Sequence, residues 1–386
     1  MTGQNSSQEL ERIIHWQQRI LRLTGVNFFD DDFKINFRTL ITTVMAICFT
    51  TVHITDMYIF RDDIFNFTFV LITLCYTCIG WIRLINGLKD SKPISSLVVT
   101  AVETHRNAST GQRVQNILNS FVKLLKQAVV TYSVMFLGGC IMSAMLPIIV
   151  YLWSGEAILP FGIILPFVDS ASQTGYIYNY IYQVLCIMYF PPQIATSQNM
   201  YFMLVFNICI EYELLMLKLA ELDQMISNNS ESNLNELIHD KLVEIVRCHQ
   251  RINEFVSRFE ELYSHQIFME ISCDALQIIV TLFVLHIEPW VPGYFVIVVA
   301  TFQLFLYCLL GTLIDIKTDV LSECIYNVSW HKLPKKEQNI VQIMLQVSQS
   351  PRQLTYGGLV PLNMNLFQSI YRKIYSVFMM LQTSSE

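Results

Sequence analysis

Seven long apolar stretches alternate with polar segments along the chain: residues 37–58, 64–86, 128–152, 176–217, 268–288, 293–315 and 359–381. Each reaches the roughly 20 residues that a helix needs to cross the hydrocarbon core of a bilayer. The fourth is too long for one simple crossing. Pro191-Pro192 lies inside it, and proline removes a backbone donor, so a bend or a projecting end is expected there. The polar segments are patterned as well. Leu10, Ile13, Ile14, Gln17, Ile20 and Leu21 follow a 3.6-residue stripe ahead of the first span. Leu237, Leu242, Ile245, Ile252, Phe255 and Phe259 continue such a stripe over 234–263, after a polar turn at 227–233. The pattern predicts helices that extend beyond the membrane, either as a packing platform or as a solvated amphipathic hairpin.

Charge orients the spans. Lys and Arg concentrate in segments 86–127, 217–266 and 316–358 and in the N-terminal stretch, whereas 59–63, 153–175 and 289–292 carry only Arg61. Positive charge marks the cytosolic side, so the N-terminus is expected inside and, after seven crossings, the C-terminus outside. Glu9, Glu11, Arg12, Arg19 and Arg22 interrupt any signal-peptide core. Composition agrees: 53% of the 386 residues are hydrophobic and 15% charged, against about 25% charged in soluble domains. The net charge of −6 is dispersed, and no basic patch suggests nucleic acid. The fold class expected is all-α, a polytopic membrane protein of seven transmembrane helices, with no further domain after the last.

Candidate chemistry is sparse. Eight of the ten cysteines fall in apolar runs and none in an outer loop, so no extracellular disulfide framework is expected. Cys75 and Cys78 have CxxC spacing but lie within an apolar helix without matching ligands, and no metal or other cofactor is expected. His53 and Asp56 sit near the outer end of the first span, His286 and Glu288 near that of the fifth. Glu270 and Asp274 share a face of the fifth at i, i+4. Charges at such depth default to functional hypotheses, yet no hydrolase or metalloprotease motif accompanies them, so pairing or a wet vestibule is expected rather than an enzyme. Sequons at Asn5, Asn107, Asn228 and Asn327 all fall on the inner side, and Asn66 lies close to the bilayer, so no N-glycan is expected.

Two features point to binding and conduction. Aromatics crowd the outer halves of the spans, at Phe65, Phe67 and Phe69, at Tyr176 to Tyr182 and at Tyr294 and Phe295. They form either an interfacial belt or the wall of a small apolar pocket. Gly138 and Gly139 remove volume there, and Met142 and Ser143 offer an adaptable wall and a polar handle. The pocket candidates are Ile72, Tyr76, Gly139, Met142, Ser143, Leu146, Tyr180, Val184 and Phe295, suited to a small neutral ligand, an aromatic one above all. In the last span Ser369, Lys373, Ser376, Met380 and Ser384 step by four, three, four and four, near one helix face. Such a stripe suits a narrow pore with one apolar constriction or helix packing through serines. Arg372 and Lys373 exclude lipid on every side of this helix.

The stretch from Tyr326 through Trp330, Leu333-Pro334, Gln338, Ile343-Met344, Ser348-Gln349-Ser350-Pro351, Leu354-Thr355, Gly357, Pro361-Leu362 and Phe367 to Tyr375-Ser376 resembles the C-terminal signature of insect odorant receptors. Tyr356 departs from the small residue more usual before the glycine. The resemblance implies a ligand-gated, non-selective cation channel passing Na+, K+ and Ca2+. It implies a heterotetramer in which a tuning subunit stands beside shared odorant co-receptor subunits. It places the protein in the plasma membrane of olfactory sensory neuron dendrites. The last helix would line the pore with Met380 as gate, odorant would bind in the outer half of the bundle, and Trp330, Leu333, Pro334, Ile343, Pro351 and Leu354 would belong to a cytosolic anchor between subunits. The short connection 217–266 resembles a tuning subunit. The corresponding division is an N-terminal segment 1–36, a bundle 37–315, an anchor 316–358 and a pore helix with its end, 359–386. A gustatory receptor channel is the nearest alternative, but its last-helix pattern of Thr-Tyr, five apolar residues and Gln-Phe is not met. A G-protein-coupled receptor would need the opposite orientation, and a transporter would show repeats.

Overall fold

The structure, a computed structural model, describes residues 3–108, 111–166, 168–169, 172–227, 234–287 and 289–385. The expected polar turn at 228–233, the sequon at Asn228 and Glu288 lie outside them. Among the described residues ten α-helices follow in order: α1 (Gly3–Thr24), α2 (Phe37–Ile59), α3 (Ile64–Lys89), α4 (Ser91–Asn107), α5 (Gln112–Ser154), α6 (Gln173–Ser227), α7 (Leu234–Ile287), α8 (Val291–Asn327), α9 (Lys335–Ser348) and α10 (Met364–Ser385). Side chains fix several starts. Asn36 accepts from the backbone of Arg38 and Thr39 while Thr39 reaches back to the Asn36 amide, a reciprocal cap that begins α2. Asp63 caps α3 from one side only, its carboxylate accepting from the amides of Phe65 and Asn66.

Six helices among the described residues, α2, α3 and α5 to α8, are long and apolar enough to cross a membrane. They carry six of the seven expected spans. At about 1.5 Å per residue, α6 and α7 are each roughly 80 Å long, far beyond the roughly 30 Å of bilayer hydrocarbon. Their lower halves therefore leave the membrane, where they pack with α1, α4 and the start of α5. Leu10, Ile14 and Leu21 of α1 and Leu219, Leu222, Ile238, Leu242 and Ile245 of α6 and α7 belong to one continuous core. The packing platform is realised. Ile238, not Leu237, turns inward, and Leu237 stays exposed.

Helix α6 is the central post. From Ala195 to Tyr212 it is buried almost all round, as a helix apolar on every side must be. It runs unbroken through Pro191-Pro192. Side chains serve neighbouring carbonyls there: Thr196 Oγ1 donates to Pro192 O at 2.6 Å and Gln193 Nε2 to Tyr189 O at 2.9 Å. By contrast α2 and α5 keep bare apolar faces, with Leu40, Val44, Ile47 and Ile54 on one and Val130, Val134, Ile141 and Met145 on the other. These are the surfaces left for lipid.

The last span departs from expectation at its start. The helix begins at Met364, not at Leu359. Residues Thr355–Tyr356 and Val360–Pro361 pair as a two-stranded hairpin, β1 and β2. Gly357 and Gly358 both take positive φ, 65° and 75°, the combination that a tight hairpin turn demands and that side chains disfavour. The hairpin is seated between α7 and α8. Glu260 accepts from the Thr355 amide and hydroxyl. Tyr356 shares a hydrogen bond with Ser272 at 2.9 Å and packs on the Phe268 ring at 4.7 Å. The unusual tyrosine thus has a local partner on α7. Burial raises the Glu260 carboxyl above its ordinary range, and the two Thr355 bonds pull it part of the way back.

Candidate functional site

A cavity of about 200 Å³ lies between α2, α3, α5, α6 and α8. The glycine of α5 makes room for a ring of α8. A Cβ on Gly139 would stand 1.9 Å from Phe295. Tyr76 meets Phe136 edge-on at 6.4 Å, and Phe69 meets Trp290 at 4.7 Å, so the outer wall is aromatic. Ile72, Tyr76, Gly139, Ser143 and Phe295 all border this space. Four other candidates do not. Met142 turns outward beside Ile141 and Met145, on the face of α5 that is left for lipid. Leu146 lies a turn beyond Ser143, the last lining residue of α5. Tyr180 and Val184 lie outward of Cys186, where the lining of α6 begins, and the Tyr180 hydroxyl ties α6 to α5 through Ala144 O at 2.9 Å.

The displacement of these last two has a cause. The outer connection between α5 and α6 folds inward instead of standing in solvent, and Pro160 and Phe161 close the cavity from outside. Its backbone needs hydrogen-bond partners there. Gln183 supplies both of its amide atoms, to Phe161 N at 2.8 Å and Ile163 O at 2.7 Å. Asn179 Oδ1 accepts from Leu165 N at 2.6 Å and Asp56 Oδ2 from Ile164 N at 2.8 Å. His53 is likewise structural, bridging Phe49 O and the Thr73 hydroxyl.

The floor of the cavity holds a group that the sequence reading passed over. Arg83 of α3 borders the space and forms a two-pronged pair with Glu270 of α7, Nε to Oε1 at 2.8 Å and Nη2 to Oε2 at 2.7 Å. It also donates to Ile194 O at 2.6 Å and Gln198 Oε1 at 2.5 Å. Tyr307 and Gln266 donate to the same carboxylate. A lone arginine inside an uncharged apolar span was the signal available for it. Glu270 is therefore paired, as expected. Asp274 is fully buried, and neither carboxylate oxygen has a hydrogen-bond partner among the described residues. No group of three or more metal-ligating side chains occurs among them, and all ten cysteines are free.

Helix α10 packs one face only. Leu366, Ile370 and Ile374 are buried against α7 and α8, while Ser369, Lys373, Ser376 and Met380 are exposed together. Ser384 is on the helix, and its side chain lies outside the described residues. The anchor candidates divide. Leu333 and Leu354 are enclosed by the chain's own core and present no surface to a neighbour, because η-turn residues Trp330–Lys332 and the hairpin fold them inward. Ile343 and Pro334 are exposed, and Trp330 and Pro351 are half-buried.

Comparison with known proteins places this arrangement. The profile of the 7tm Odorant receptor family matches residues 96–375. Putative odorant receptor 83c of Drosophila melanogaster is 21% identical over 98% of both chains, and odorant receptor 30a of the same fly is 22% identical over 60% of this chain and 61% of its own. Among solved structures, olfactory receptor OR5 of Machilis hrabei in complex with eugenol superposes with a TM-score of 0.83 at 15% identity, covering 98% of this chain and 100% of that one. Seven spans in that family accord with the six apolar helices and α10. The chain is a membrane protein and belongs to the 7tm odorant receptor family.

Proposed function

We propose that the chain is the odorant-tuning subunit of a heterotetrameric, ligand-gated, non-selective cation channel built with the shared odorant co-receptor. One observation carries this reading: α10 is packed on one side and bare on the other, and the bare side presents Ser369, Lys373, Ser376 and Met380. A helix so divided needs water or a neighbouring subunit along its free face, because lysine does not tolerate lipid there. Four such faces around an axis form a polar pore with Met380 near its outer end as the constriction. Odorant enters the cavity bounded by Tyr76, Gly139 and Phe295, and its binding biases α10 through α7 and α8. The segment 316–358 acts as the cytosolic anchor through its exposed residues. The setting is the plasma membrane of olfactory sensory neuron dendrites, with Na+, K+ and Ca2+ as permeating ions.

Expression with and without an odorant co-receptor, followed by a panel of small volatiles, tests this reading. Current is expected only with both subunits present. No current to any volatile from the pair would remove it. The site has its own test. Gly139→Val drives a branched side chain into the space of the Phe295 ring. Overpacking of this kind costs about 1–3 kcal/mol, so agonist potency should fall roughly 10- to 100-fold. Gly138→Val, where a Cβ meets nothing within 4 Å, is the control. Equal dose–response curves for the two variants would displace the site.

A further inference from the structure

The cavity is longer than a compact ring requires. Along α3 its wall runs from Phe69 to Leu84, turn after turn. Fifteen residues of helix rise about 22 Å, more than the roughly 15 Å of one hydrocarbon leaflet. The space is therefore a tube along the membrane normal, and its two ends differ. The outer end is aromatic. The inner end, between α2, α3 and α6, is bordered by Arg83, Gln193 and Ser197.

A donor is in surplus at that inner end. Nη1 of Arg83 carries two hydrogens and spends one on Ile194 O; the other has no acceptor among the described residues. Buried donors left unpaired cost free energy until an acceptor arrives. That acceptor is not an anion. Glu270 already neutralises Arg83, so a ligand carboxylate would bring a second, uncompensated negative charge into a buried site.

Resting on the receptor reading above, we propose that the ligand is an extended, unbranched aliphatic molecule with one neutral acceptor oxygen, such as an ester, ketone, aldehyde or alcohol. Its oxygen sits at Arg83, and its chain runs outward along α3 past Gly80 and Tyr76. This ligand class differs from the aromatic one that the outer wall alone suggests.

The test is a dose–response series on the co-receptor complex. Straight-chain acetates of increasing length are compared with the matching alkanes and with a compact ring, methyl benzoate. Potency should rise roughly two- to fourfold per added methylene until the tube is filled. The alkanes should be at least about tenfold weaker than the acetates. Gly80→Leu places a side chain in the tube at a point where a Cβ meets only an Ile194 methyl, at 3.8 Å. It should lower the ratio of long-chain to ring potency at least about tenfold. Potency independent of chain length, alkanes equal to acetates, or an unchanged ratio in Gly80→Leu would each overturn the proposal. Responses to the ring without responses to chains overturn this inference alone, whereas silence to every compound overturns the channel reading with it.

Discussion

Arg83→Met is expected to destabilise the bundle by about 3–5 kcal/mol, the cost of breaking a buried ion pair from one side. The guanidinium makes four hydrogen bonds shorter than 3 Å, to two oxygens of Glu270, to Gln198 and to the Ile194 carbonyl. Its removal leaves the Glu270 carboxylate with no countercharge in a setting that excludes water, because the Glu270 side chain has no exposed surface. Tyr307 and Gln266 still donate to that carboxylate, and they cannot balance its charge. The partner change should not repeat the loss. In Arg83→Met/Glu270→Met the unpaired charge is gone, and apolar replacements of buried pairs are often near neutral. Melting of the detergent-solubilised protein reads the difference. A drop of the order of 5–10 °C in the single variant, largely recovered in the double, is the expected pattern. Equal melting of Arg83→Met and the parent protein would show that the pair holds nothing together. A double variant no better than the single would place the loss in the hydrogen bonds to Ile194 and Gln198 instead.

This pair also shows what the sequence yields and what it withholds. Spans α2, α3, α5, α7 and α8 were legible because an apolar run of membrane length has few other uses. Arg83 was equally visible, a single cation in such a run, but its partner is 187 residues away. Nothing along the chain says which of Glu270 and Asp274 receives it. The inward fold of the outer connection had a similar trace. Asp56, Asn179 and Gln183 are polar residues at span ends whose purpose emerges only when Phe161 to Leu165 need partners. That fold then decided which pocket candidates border the cavity, since it occupies the zone beside Tyr180 and Val184. Met142 was misplaced for a simpler reason. Helix periodicity groups it loosely with Gly139 and Ser143, and only the position of α8 tells which edge of that face is the inner one. The start of α10 shifted because Leu359-Val360-Pro361-Leu362 continues the apolar run across a hairpin. Gly357-Gly358 was a sufficient sign that the backbone turns there, and it does not say where the helix resumes.

The joint between that hairpin and α10 is where the second large effect is expected. Gly311→Ala should reduce ligand-gated current about tenfold at unchanged surface abundance. A Cβ on Gly311 would stand 1.8 Å from the carbonyl oxygen of Leu362 and 2.9 Å from its carbon. Both are backbone atoms, and no rotamer change relieves the contact. The segment must move away from α8 by more than 1 Å, or α8 must bend. Two bonds resist: Leu362 N to Leu354 O at 2.8 Å, which closes the hairpin, and Met364 N to Thr312 Oγ1 at 3.0 Å, which fastens the first turn of α10 to α8. Overpacking strain of this kind is about 1–3 kcal/mol. Where two conformations share the strain unequally, the difference moves the equilibrium between them, and about 1.4 kcal/mol is tenfold. The structure has α10 seated against α8, and the added methyl group acts on the contact through which it is held there. Gly138→Ala, one methyl group on an open helix surface, controls for the loss of a glycine. Whole-cell recording with surface labelling separates gating from folding. Normal current in Gly311→Ala would mean that the Leu362 carbonyl yields freely, and that the close packing of α8 on the hairpin has no part in how the proposed channel opens.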